Sequence, residues 1–131
     1  MGLNTTHGCW DGGYIGFSAW RNAVAIAAGF RMKLTGGYSL DAIEALFLPG
    51  GEPVPEAIFM GQWPFEPPDV LWVLLAHSDC DGEIPHKFTG PLADRLAGLA
   101  TAIQAAWRNK TQTFIDGLRV AHAAGEPVEF H

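Results

Sequence analysis

Residues 91–124, PLADRLAGLATAIQAAWRNKTQTFIDGLRVAHAA, decide the fold class. Leu92, Leu96, Leu99, Ile103, Trp107, Phe114, Leu118 and His122 recur at spacings of three, four or seven, which lines them up as one apolar stripe of a helix. Pro91 suits a first turn, where the absent N–H is no loss, and Gly125 supplies the stop. The stretch is long enough for either one kinked helix or two. Beyond it, residues 127–131 (Pro-Val-Glu-Phe-His) are expected to form a short terminal strand.

Working towards the N-terminus, Asp69 is placed to cap a helix through Val70, Leu71, Val73, Leu74 and Leu75 that delivers His77, although this Val- and Leu-rich run equally suits a buried strand. Residues 49–68 gather six of the nine prolines around Phe59, Trp63 and Phe65, which predicts a long irregular segment packing aromatics over the body. Ser39 reads as the N-cap of a helix carrying Leu40, Ile43, Leu46 and Phe47 on one face, ended by Pro49-Gly50-Gly51. Residues 14–28 repeat Tyr14, Phe17, Trp20, Arg21, Val24 and Ala27/Ala28 at helical spacing, with Gly29 as the stop. The expected architecture is one mainly α domain over residues 1–131, with little or no β.

Size and composition narrow the functional classes. A chain of 131 residues buries roughly two-thirds of its unfolded surface, enough for one core without disulfide staples. With 48% hydrophobic and 17% charged residues it is not a disordered chain, and no apolar run approaches the roughly 20 residues that a membrane helix needs. Residues 1–6 carry no basic region followed by an apolar stretch, so the expected compartment is the cytoplasm, where Cys9 and Cys80 are thiols or ligands rather than a disulfide. A net charge of −6 argues against nucleic acid, whose affinity rests on released counterions, but leaves room for a small anion.

Two polar clusters stand out in this apolar chain: His7-Gly8-Cys9-Trp10-Asp11 and His77-Ser78-Asp79-Cys80-Asp81-Gly82. Each has a histidine upstream and an aspartate downstream of a cysteine. His7, Cys9, His77 and Cys80 together would make a closed tetrahedral zinc shell, although the wide separation of the two pairs departs from the usual knuckle spacing. Asp79-x-Asp81-Gly82 also matches the middle of a calcium loop, but His77 and Phe88 fall where its outer ligands belong. An apolar run followed by His77-x-Asp79-x-Asp81 resembles the first motif of DHH-type phosphoesterases, without the downstream Asp-His-His element or the length of that family. Against all three stands plain turn chemistry, in which the aspartates cap nearby N–H groups and Gly82 takes a positive φ. Likewise His7 and Cys9 suit a role as anchors of the N-terminus in the core.

Other residues carry weaker signals. His86 and His122 read as surface and helix-face histidines, since neither has a partner at helical spacing. Most of the five tryptophans belong to the core, with Trp10 placed to stack a planar ligand beside the first cluster. Arg95, Arg108, Lys110 and Arg119 read as solvated helix charges, while Arg21 follows the first cluster by about two turns and is a candidate to meet an anion there. No serine-nucleophile motif, Walker loop or dinucleotide fingerprint is present.

Residues 1–7 (Met-Gly-Leu-Asn-Thr-Thr-His) with Cys9-Trp10, residues 77–82, Pro91-Leu92-Ala93-Asp94-Arg95-Leu96, Phe114-Ile115-x-Gly117-Leu118-Arg119 and the closing Gly125-Glu126-x-Val128-Glu129-Phe130-His131 resemble an uncharacterised family of small bacteriophage and actinobacterial proteins. The likeness runs the length of the chain; the family's common form has Asp at position 8 and His at position 11, where this chain has Gly8 and Asp11. It implies a phage or host-interaction setting and no catalytic activity. The functional expectation is therefore a non-enzymatic binding protein. Its ligand would be a metal ion, with zinc the first candidate, a small anion or a host protein. Trp10, Asp11, Arg21, Asp79 and Asp81 are the candidate ligand contacts; His7, Cys9, His77 and Cys80 are the candidate metal ligands. The alternative is a metal-dependent phosphoesterase using His77, Asp79 and Asp81.

Overall fold

The computed structural model describes residues 2–29, 69–75, 77 and 82–131. Of these, 64% are helical and 14% are in strands or bridges, so the mainly α expectation holds and the β content exceeds it. In chain order the elements are β1 (Gly2–Asn4), a 3-10 turn (Thr6–Gly8), β2 (Asp11–Gly13), α1 (Tyr14–Ala27), α2 (Trp72–Leu75), β3 (Glu83–Ile84), α3 (His86–Leu99), a second 3-10 turn (Ala105–Trp107), α4 (Arg108–Ala124) and β4 (Val128–Glu129). The expected helix after Ser39, the Pro-rich stretch with Trp63 and Phe65, and Asp79, Cys80 and Asp81 lie outside the described residues.

Residues 91–124 fold as parts of two helices, α3 and α4, which make the most extensive packing contact among the described elements. The break falls at residues 100–104, where Ile103 turns inward and is buried. α3 starts five residues earlier than Pro91 suggests, and the proline sits inside it. Tertiary packing accounts for this. Gly90 leaves no side chain to collide with the His122 ring, which lies within 3.1 Å of where a Cβ would be, so the early part of α3 closes against the end of α4. His122 accordingly leaves the apolar stripe: it is exposed and its ring stacks on His86 at 5.2 Å. The two histidines that look solitary in the sequence are thus neighbours.

α4 ends in a Schellman motif, with Gly125 at φ 70°, its N–H on His122 O and the Glu126 N–H on Ala121 O. α1 buries Phe17, Trp20, Arg21, Val24 and Ala25 and stops at Gly29, whose φ is 86°. The ambiguous apolar run resolves as the single turn α2. Asp69 caps it through the Leu71 N–H at 2.9 Å and pairs with Arg95, and Leu71 to Leu75 are all buried.

The strands are short: β1 and β2 flank the first cluster, whereas β3 and β4 join distant parts of the chain. β1 and β2 are antiparallel, with Leu3 opposite Gly12, and β3 pairs with β4. A bridge from Thr5 to Phe130 and the exchanged bonds of Asn4 and His131 place the last residues between β1 and β3. The terminal strand expected at residues 127–131 therefore sits in the middle of the assembly.

Candidate functional site

The first cluster forms a closed loop between β1 and β2. The Thr5 N–H bonds Trp10 O, and the Trp10 N–H bonds the Thr5 hydroxyl at 2.8 Å, so the loop's ends are fastened together. Within it His7 adopts φ 61° and Gly8 φ 70°. A left-handed conformation costs an ordinary residue about 1–2 kcal/mol, and neighbouring bonds hold it here. His7 Nε2 donates to Glu126 at 3.2 Å, the Thr6 hydroxyl meets Nδ1 at 3.1 Å, and the Glu129 N–H bonds that same hydroxyl. Both ring nitrogens of His7 are therefore engaged with protein.

The loop presses onto α4 at Gly117. A Cβ there would lie 2.5 Å from Cys9 Sγ and 2.8 Å from His7 O, so only glycine permits the approach. Cys9 is buried, and burial pushes its thiol up to about 12 with the Thr5 hydroxyl pulling the other way. It is a protonated, core-facing group at neutral pH.

His77 lies elsewhere, against the C-terminal strand. Its Nε2 donates to Glu83 O at 3.0 Å, its ring packs 4.1 Å from Phe130, and it is buried. Arg21 is also internal: its guanidinium donates to His77 O at 2.6 Å and to Leu74 O, and lies 4.5 Å over the Phe17 ring. It donates to carbonyls at the end of α2 and beyond it. Among the described residues, no group of three or more His, Cys, Asp or Glu side chains is arranged to hold a metal ion.

What the fold does bring together is the outer edge of the first cluster and the start of α4. An open cavity of about 340 Å³ is lined by Cys9, Trp10 and Asp11 on one side and Asn109, Lys110 and Thr113 on the other. Trp10 is held in an aromatic group, 5.2 Å from Phe17 and 5.5 Å from Trp20, and Lys110 Nζ stands 4.7 Å over its ring. Two of the expected contacts, Trp10 and Asp11, thus share a cavity with Lys110, which the sequence marks only as a solvated helix charge, and with Asn109 and Thr113, which it does not single out. The available signal was positional. Asn109, Lys110 and Thr113 lie on the first turns of α4, which has no side-chain cap and no acidic residue there. A second cavity, of about 280 Å³, lies along α1 beside Ala19, Asn22, Ile26 and Trp107, and among the described residues its lining carries no charged group.

Comparison with known protein families, curated proteins and solved structures finds no match to this chain. Among the described residues no helix is long and apolar enough to cross a membrane.

Proposed function

We propose that the protein is a non-enzymatic binding module, with a small molecule as ligand in the cavity between the first cluster and the start of α4. The observation that carries this reading is the cavity's construction. A loop fastened at both ends presents Trp10 and Asp11 opposite Asn109, Lys110 and Thr113, which combines a planar apolar wall with both signs of charge. Among the described residues the thiol in the wall is that of Cys9, and burial holds it protonated, which favours binding over covalent chemistry.

The test is a fragment panel screened by two-dimensional NMR of the whole chain. Binders are expected to shift the backbone amides of Asn109, Lys110 and Thr113 together with the Trp10 indole resonance. A panel that leaves all four unmoved overturns the proposal. Hydrolysis of an aryl phosphate in the presence of manganese, abolished by Asp79→Ala, would establish the phosphoesterase alternative instead.

A further inference from the structure

One corner of this cavity has a more definite chemistry. Trp10 is 3% exposed, and among the described residues its indole Nε1–H has no hydrogen-bond acceptor. A buried donor without a partner is costly enough to be rare in folded proteins, and a group left so beside a cavity calls for an acceptor from outside the chain. Lys110 Nζ lies over the same indole, and among the described residues it makes no ion pair. Gly12, which follows the cavity-lining Asp11, lies close to both: a Cβ built there would sit 3.4 Å from Trp10 Nε1 and 4.0 Å from Lys110 Nζ. The missing side chain leaves a notch onto which a neutral and a cationic donor converge.

We infer that the ligand seats a carboxylate in this notch, one oxygen accepting from Trp10 Nε1 and the group as a whole facing Lys110 Nζ over Gly12. The inference rests on the reading of the cavity as a binding site. Carboxylate is favoured over phosphate because Asp11 lines the same cavity and a second negative charge on the ligand would be repelled.

The chain has five tryptophans, so its indole N–H spectrum has five resonances, and Trp10→Phe identifies the one in question. Titration with sodium acetate is expected to move that resonance saturably, where sodium chloride at equal ionic strength does not. Gly12→Ala is compatible with the fold, because Gly12 has no positive φ and its Cβ would meet nothing nearer than 3.4 Å. It fills the notch and is expected to weaken acetate at least tenfold. Lys110→Gln, on a separate element, is expected to do the same. Asp11→Asn should tighten acetate several-fold and raise binding of inorganic phosphate.

A Trp10 indole resonance that ignores acetate overturns the inference, as does acetate binding that Gly12→Ala and Lys110→Gln leave unchanged. Phosphate binding more tightly than acetate in the unmodified chain overturns the choice of carboxylate. If neutral or cationic fragments still move the amides of Asn109, Lys110 and Thr113, the binding reading stands without the carboxylate; if nothing moves them, both fall.

Discussion

Trp10 and Trp20 lie side by side in the core, ring centroids 5.5 Å apart and both almost wholly buried, yet their polar ends meet opposite surroundings. The Trp20 indole N–H donates to the Thr111 hydroxyl at 2.9 Å, and that hydroxyl in turn donates to Trp107 O. The Trp10 indole N–H faces the Gly12 notch with no acceptor among the described residues. One indole has its hydrogen bond built into α4, and the other is left open one residue away on the same helix, where Lys110 replaces Thr111. The difference separates a tryptophan whose donor is used within the fold from one whose donor, on the proposed reading, is offered to a ligand.

The comparison breaks most completely if the loop carrying Trp10 is lifted off α4 while Trp20 stays. Gly117→Ala does this, because the new methyl would sit 2.5 Å from Cys9 Sγ and 2.8 Å from a backbone oxygen. Forcing an extra methyl into so close a contact is expected to cost about 3 kcal/mol in urea denaturation, with Trp10 fluorescence shifting before that of the remaining tryptophans.

Titration of Cys9 gives a smaller displacement at the same place. Burial raises its folded pKa from the ordinary 9.0 to about 12, so the stabilisation is full below about pH 9 and is lost as the pH climbs towards 12. At 1.36 kcal/mol per unit, stability is expected to fall by about 2 kcal/mol between about pH 8 and about pH 10.5. Cys9→Ala should remove most of that slope, and a slope that persists in the variant would assign it to other groups.

The sequence makes the helices legible and the site only half so. The stripes of α1, α3 and α4 span enough turns for their period to show, so the faces carrying Phe17, Trp20, Leu92, Leu96, Phe114 and Leu118 are read correctly. Two- and three-residue strands have no period to read, and β4 pairs with β3 while the adjoining Phe130 bridges to Thr5 near the other end of the chain. Pro91 misplaces the start of α3 because the glycine that lets the helix form against His122 acts through a contact, not through local propensity. For the site, Trp10 and Asp11 are visible because polar and aromatic residues cluster locally. Lys110 looks like a solvated helix charge until the fold sets it over Trp10, and nothing in the sequence singles out Gly12 until the donors around it are known. His77 and Arg21 illustrate the converse: residue types suited to ligand chemistry that the core uses to hold its own carbonyls.

The finest test sets the two indoles against each other directly. Trp20→Phe removes a satisfied donor and part of a ring packed 4.8 Å from Phe114, and is expected to cost about 1.5 kcal/mol. Trp10→Phe removes an unsatisfied donor from an equally buried position. The lost ring area and the weakened Lys110 contact are offset by relief of the unpaired N–H, itself about 1–3 kcal/mol, so the change should lie within about 0.5 kcal/mol of zero. Saturating acetate should then raise the melting temperature of the unmodified chain and of Trp20→Phe, and leave Trp10→Phe where it was. Equal costs for the two substitutions would mean that the Trp10 donor is satisfied in solution, and the distinction between a structural and a ligand-facing indole would be lost with it.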